Sequence, residues 1–288
     1  MLDACAGYAN RCEQIRRIFV SMEIGIAELN YHSYDAVGHC IYCGASEDLR
    51  DEHIVPYGLG GNLILPKSSC GICADITSRF ELSVQRGSFW AARIFRDIQS
   101  RRKHNKAPKY YPLTIERKGK EETIEVSLDE YPIILPFPLF SIPGYMKPGG
   151  YEKGIRLEGT ALVSFGPRPE HILRKLGAER ISIQPRGDKP ADFARMVAKI
   201  AFSMAAAVGA LAQLKSHQSA VLPAILGKAD DIGRWVGTIT DPITIHKGHL
   251  HRVLINRDEQ KGLLLGDVHI FSDSQTPRYG VILGELKK

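Results

Sequence analysis

Six cysteines and two tryptophans in 288 residues are few, and no run reaches the roughly 20 apolar residues that a membrane helix needs. The longest stretch without a charge, residues 200–214 (IAFSMAAAVGALAQL), reads instead as an Ala-rich buried helix. The opening MLDACAGYANRCEQIRR has acidic Asp3 and no basic segment leading into an apolar one. It does not read as a secretory signal, so a cytoplasmic location without a membrane partner is expected. Internal repeats and low-complexity segments are lacking, which argues against a repeat array. The GLGG at residues 58–61 has no following GKS or GKT, so it is a turn and not a phosphate loop.

What is present suits a globular chain of one large or two ordinary domains, with 44% apolar residues. Lys plus Arg (38) exceed Asp plus Glu (32), giving a net charge of +6 that is compatible with a polyanionic partner. Eleven of the 16 prolines fall between Pro108 and Pro190, so this stretch reads as loop-rich with short strands. ETIEVSL, IRLEGTALVSFG and RISIQP are the strand candidates. A helix is expected from about Pro190, capped by Asp188, with Phe193, Met196, Val197, Ile200, Met204, Val208 and Leu211 on its core face. HLHRVLINR, KGLLLGDVHIFSD and RYGVILGEL read as strands, the first two forming a hairpin. These features divide the chain into an N-terminal extension (1–30), loosely helical and holding Cys5 and Cys12, a cysteine-bearing domain (31–106) and an α+β accessory domain (107–288).

The other four cysteines form two CxxC pairs, Cys40/Cys43 and Cys70/Cys73. Each CxxC turn directs two sulfurs at one point, and two pairs supply the thiolates of a closed tetrahedral zinc site. In a reducing compartment that reading is favoured over disulfides. The intervening 26 residues exceed the spacing of a simple zinc ribbon, so more structure is housed between the pairs. His53-Ile54-Val55 ahead of Pro56, the GLGG turn and the returning NLIL predict a β-hairpin. Beyond Cys70, the four-residue steps of Ile72, Ile76, Phe80 and Val84 predict a helix with one apolar face.

The segment CIYCG…DEHIVPYGLGGNLILPKSSCGICADITSRFE, residues 40 to about 81, resembles the four-cysteine class of HNH endonucleases. The resemblance implies an α+β protein built on a zinc-clipped ββα-metal finger that hydrolyses phosphodiester bonds of nucleic acid, with DNA the expected substrate. It implies His53 as general base, Asn62 as the brace of the loop carrying it, and Glu52 as ligand of a single Mg2+ or similar divalent ion. Ala74 stands where the family commonly has a metal-binding His or Asn. Asp75 either assumes that role one residue later or pairs with Arg79 at i,i+4. A second reading is a zinc-stabilised nucleic-acid-binding module that has lost catalysis.

Behind the finger, Arg93, Arg96, Arg101, Arg102 and Lys103 form a basic tract suited to backbone phosphates. Phe89, Trp90 and Phe95 beside it suit core packing better than base stacking. His246, His249 and His251 gather in HKGHLHR without a neighbouring Cys or carboxylate motif that would make them a metal site. The accessory domain is expected to supply substrate contacts or a surface for a protein partner.

Overall fold

The computed structural model of the chain describes residues 23–26, 32–87, 89–98, 109–150, 153–182, 189–216 and 218–287. Cys5 and Cys12 of the N-terminal extension lie outside these residues, as do Arg101, Arg102 and Lys103 of the basic tract and Asp188, the expected helix cap.

The architecture is mixed α+β, in small sheets around one long helix. The first part of the chain forms β1 (Glu23–Ile26), β2 (His32–Ser33), β3 (Leu49–His53), β4 (Leu63–Cys70), α1 (Gly71–Arg86) and α2 (Trp90–Phe95). Next come β5 (Tyr111–Arg117), β6 (Lys120–Val126), β7 (Ile133–Phe140), β8 (Leu157–Phe165), α3 (Pro169–Leu176) and β9 (Arg180–Ser182). The long helix α4 (Pro190–Ala207) precedes α5 (Leu222–Ile225), α6 (Ile232–Trp235), β10 (Val236–Ile239), β11 (His251–Asp258), β12 (Leu263–Ile270) and β13 (Arg278–Glu285).

The expected C-terminal hairpin is β11 and β12, paired antiparallel from His251↔Ile270 to Asp258↔Leu263. It sits inside a five-stranded sheet of order β1-β11-β12-β13-β10, whose central strand β12 is buried along its whole length. Part of the presumed helical extension proves to be a strand, because Glu23–Ile26 pairs along β11. The proline-rich stretch also departs from expectation: IILPFPLF is a full eight-residue strand. Among the described residues β7 pairs with β8 alone, so Pro136 and Pro138 do not interrupt a ladder on both edges, and Ile133, Leu135 and Phe137 alternate inward.

Helix α4 positions the site. Phe193, Met196, Val197, Ile200 and Met204 are buried as the periodicity requires, and Ala194, Ala198, Ala201 and Ala205 are buried with them. A helix apolar on so much of its circumference must be enclosed, and α4 packs on β11, β12 and β13 as well as on α1. Its approach to the sheet depends on Gly266, where an added Cβ would meet Ala201 Cβ at 2.5 Å. The helix ends at Ala207 before Gly209 (φ +70°), so Leu211 belongs to a short 3-10 turn and not to the helix.

The cysteine-bearing segment forms two antiparallel strands followed by a helix, β3-β4-α1, with β2 added parallel to β4. Within α1 the buried stripe is Cys73, Thr77, Phe80 and Val84, whereas Ile72 is 76% exposed. The expectation for Ile72 is therefore corrected. Four-residue steps drift about 40° each on a helix of 3.6 residues per turn, so Ile72 lies about 120° away from Val84. The sulfur of Cys73 holds the core-facing position instead.

Candidate metal centre and cleft

The four sulfurs converge. Cys40 and Cys43 lie in the loop before β3, Cys70 ends β4, and Cys73 is in the first turn of α1. Their Sγ atoms all lie within 4.8 Å of one another, with Cys43 and Cys70 at 3.6 Å. Zn–S bonds of about 2.3 Å place tetrahedral sulfurs about 3.8 Å apart, so the four thiols fit one zinc ion. Their electrostatics also call for a cation. The backbone N–H of Cys73 lowers the Cys70 thiol, while burial and the Cys70 sulfur push the Cys73 thiol far above its ordinary range. Four sulfurs this close can be held as thiolates together when a dication lies between them, although Cys43 itself is exposed.

The connection from His53 at the end of β3 to Leu63 at the start of β4 passes through a 3-10 turn (Tyr57–Leu59) and a glycine pair. Gly60 adopts a left-handed φ of +85°, and at Gly61 a Cβ would stand 1.9 Å from the carbonyl oxygen of Val55. Only glycine allows that approach. Asn62, directly after the turn, accepts the His32 N–H on its backbone oxygen at 3.1 Å. It is half-buried and is not among the described residues that line the cleft beside His53.

That cleft has a volume of about 630 Å³ and lies between β3 and one face of α1. Its wall includes His53, Tyr57, Arg50, Arg86 and Arg93, together with Ala74, Asp75 and Glu81. The His53 ring lies 5.4 Å from that of Tyr57. Arg50 is shared between Asp48 at 3.4 Å and Asp75 at 3.9 Å, so Asp75 pairs across to β3 and not with Arg79 as the helix spacing suggested. Arg86 and Arg93 have no carboxylate partner among the described residues. Burial first, and then the neighbouring Arg86 charge, lower the Arg93 pKa.

Glu52 faces an unanticipated partner. Lys199 of α4 is fully buried, and its ammonium pairs with Glu52 and, at 2.8 Å, with Glu81 of α1. It also donates to the backbone oxygen of His53 at 2.5 Å and approaches that of Ile54 at 3.4 Å. Burial opposes the charge on Lys199, but the two carboxylates outweigh it and hold the pKa above the ordinary lysine range. One turn along α4, Ser203 meets the Tyr42 hydroxyl at 3.1 Å. Burial and then the Glu52 carboxylate raise that hydroxyl well above its usual pKa. The loop carrying Cys40 and Cys43, β3, α1 and α4 thus share one buried polar network through Tyr42, Glu52, Glu81, Lys199 and Ser203.

Glu52 and Asp75 do not fit as joint ligands of one divalent ion. The first is engaged by Lys199, and the second, with a side chain 71% exposed, faces Arg50. Among the described residues, the four cysteines are the one group of three or more His, Cys, Asp or Glu side chains able to hold an ion.

Arg96 is also corrected as a phosphate contact. Its guanidinium forms a two-pronged pair with Asp273 at 2.7 and 3.0 Å, and lies over the rings of Phe165 and Phe271 at 4.8 and 5.0 Å. Phe89 is wholly buried and Trp90 packs beside Tyr111, as expected of core residues. His251 is no metal ligand: its Nε2 bonds the Leu59 carbonyl at 2.8 Å and its Nδ1 accepts the Phe271 N–H at 3.2 Å. Lys199 was missed by sequence reasoning, although a charge set among apolar residues of a helical stretch (MVAKIAFSM) is the signal that a buried partner is needed.

Among the described residues, no helix is long and apolar enough to cross a membrane. Comparisons with models of known families, with curated proteins and with solved structures found no match to this chain.

Proposed function

We propose that the chain is an HNH-type nuclease, with DNA as its expected substrate, in which a zinc-clipped ββα finger presents His53 to a phosphodiester. The observation that carries this reading is the imidazole of His53 in the wall of a cleft that also holds Arg86 and Arg93. The order β3-β4-α1 and the clustered sulfurs support the finger. Zinc bound by Cys40, Cys43, Cys70 and Cys73 would supply structure, tying the loop before β3 to the start of α1.

In this reading neutral His53 takes a proton from water as the water oxygen attacks phosphorus, and the bond to the leaving alkoxide breaks. Arg86 and Arg93 neutralise the phosphate oxygens, a contact that carries no base preference. Lys199 holds the His53 backbone and Tyr57 flanks the ring. Glu52, occupied by Lys199, is assigned no catalytic ion.

The test is nicking of supercoiled plasmid, with and without Mg2+ or Mn2+, by wild type and His53→Ala carrying equal zinc. A loss of about 100-fold or more in the variant is expected for removal of a general base. Equal cutting by both proteins rejects His53 as that base. The binding-module reading is favoured by Ala74 at the usual ligand position and by Lys199 on Glu52. Retention on DNA that fades as salt rises, without cutting of plasmid, single-stranded DNA or RNA, would establish it.

A further inference from the structure

We propose that Lys199 fills the Glu52–Glu81 carboxylate pair as a built-in cation, so that this pair takes no divalent ion. The inference concerns the same site but does not depend on whether His53 cuts or only binds.

The two carboxylates come from different elements, Glu52 from β3 and Glu81 from α1, and both pair with the Lys199 ammonium. An ammonium has three donors and no acceptor. Here Glu52 and Glu81 form ion pairs with it and the His53 carbonyl accepts a hydrogen bond, so its charge is compensated inside the protein. The Lys199 side chain is 1% exposed, and those of Glu52 and Glu81 are 7% and 16% exposed. A dication entering this pair would stand within a few ångströms of a buried positive charge, where repulsion is weakly screened. It would also need to draw Glu52 away from Lys199 and leave the ammonium unpaired. Lys199 itself cannot withdraw readily: its helix is fixed by close contact with β12 at Gly266, and one turn away Ser203 bonds Tyr42.

The carboxylate geometry is nevertheless close to what a divalent ion uses, since both side chains converge on one point. Removing the ammonium while keeping the carboxylates should therefore open a metal site. The experiment measures Mn2+ binding to the zinc-loaded full chain by electron paramagnetic resonance, comparing wild type, Glu52→Gln, Lys199→Met and the double variant Lys199→Met with Glu52→Gln. Wild type and Glu52→Gln are expected to bind Mn2+ equally, if at all. Lys199→Met is expected to gain one site per chain, which the added Glu52→Gln removes. Mn2+ binding by wild type that Glu52→Gln abolishes would overturn the proposal, as would a folded Lys199→Met that gains no site. If Lys199→Met does not fold, the wild-type and Glu52→Gln comparison decides alone. Nicking is not the readout, so failure of the nuclease reading leaves this result unaffected.

Discussion

His251 and His269 are enclosed by the C-terminal sheet, and each gives Nε2 to a backbone carbonyl, of Leu59 and Thr276 respectively. Burial, opposed in part by those hydrogen bonds, pushes both pKa values down to about 4. Because the folded values lie below that of the unfolded chain, the unfolded state binds more protons between about pH 4 and 6.5. The stability contributed by the neutral rings is complete above that window and is lost as pH falls through it. For fully buried His251 the loss is about 3 kcal/mol at most. Imidazole proton shifts followed by NMR should show these two rings unchanged from pH 7 to pH 5. Ordinary titration near pH 6.5 would contradict the burial argument. The arginines divide in a similarly testable way. Arg96→Ala should cost about 3 kcal/mol of stability by stranding Asp273 beside two aromatic rings, with little effect on DNA retention. Arg93→Ala should weaken retention and reduce its salt dependence, with stability nearly unchanged. Urea unfolding and salt-gradient binding of the two variants would expose the reverse pattern.

At the scale of elements, the hairpin and helix are held by two local devices. The four clustered cysteines come from the loop before β3 and from the β4–α1 junction, and a zinc ion held by them would join the two, so removal of one sulfur should free both ends together. Cys70→Ser is expected to abolish stoichiometric zinc and to lower the thermal midpoint sharply, whereas Cys5→Ser leaves the zinc content at one per chain; elemental analysis checks both. The second device is the turn after β3. Gly61→Ala drives a methyl group into the Val55 carbonyl and should destabilise the chain by more than the ~1 kcal/mol of an ordinary glycine substitution, measured by urea unfolding. The gathering of the cysteines and the glycine turn were legible in CxxC and GLGG, because each motif constrains the backbone within a few residues. The full length of β7 was not. Proline density argues against a strand wherever both edges are paired, and nothing in IILPFPLF says that only one edge is.

Across the whole molecule, the cysteine-bearing segment and the region after residue 107 share a continuous core. Ile54, Leu59, Phe80 and Val84 belong to the same buried cluster as Phe193, Ile200 and Val268. Glu52 and Glu81 both pair with Lys199, which comes from the accessory region. A fragment of residues 31–106 should therefore bind zinc through its four cysteines and yet lack a cooperative unfolding transition, because it exposes that apolar surface and leaves two converging carboxylates without their cation. A zinc-loaded fragment that unfolds as sharply as the full chain would show the finger to be self-sufficient.

Whereas the strand expected at His53-Ile54-Val55 lies earlier, at Leu49–His53, the amino-acid sequence by itself determined the gathering of the four cysteines, the glycine turn before β4, the apolar face of α4 and the β11–β12 hairpin. Each depends on spacing within one element or between near neighbours in the chain, where turn geometry and the periods of helix and strand leave few alternatives. Only the tertiary structure decided what Glu52, Arg96 and His251 do, because their partners are remote: Lys199 reaches the His53 backbone across 146 positions, Arg96 reaches Asp273 across 177, and His251 reaches Leu59 across 192. A charged or titratable side chain carries no mark of the group it will meet. Burial makes that meeting obligatory, and the packing of α4 between the sheet and α1 selects the partner.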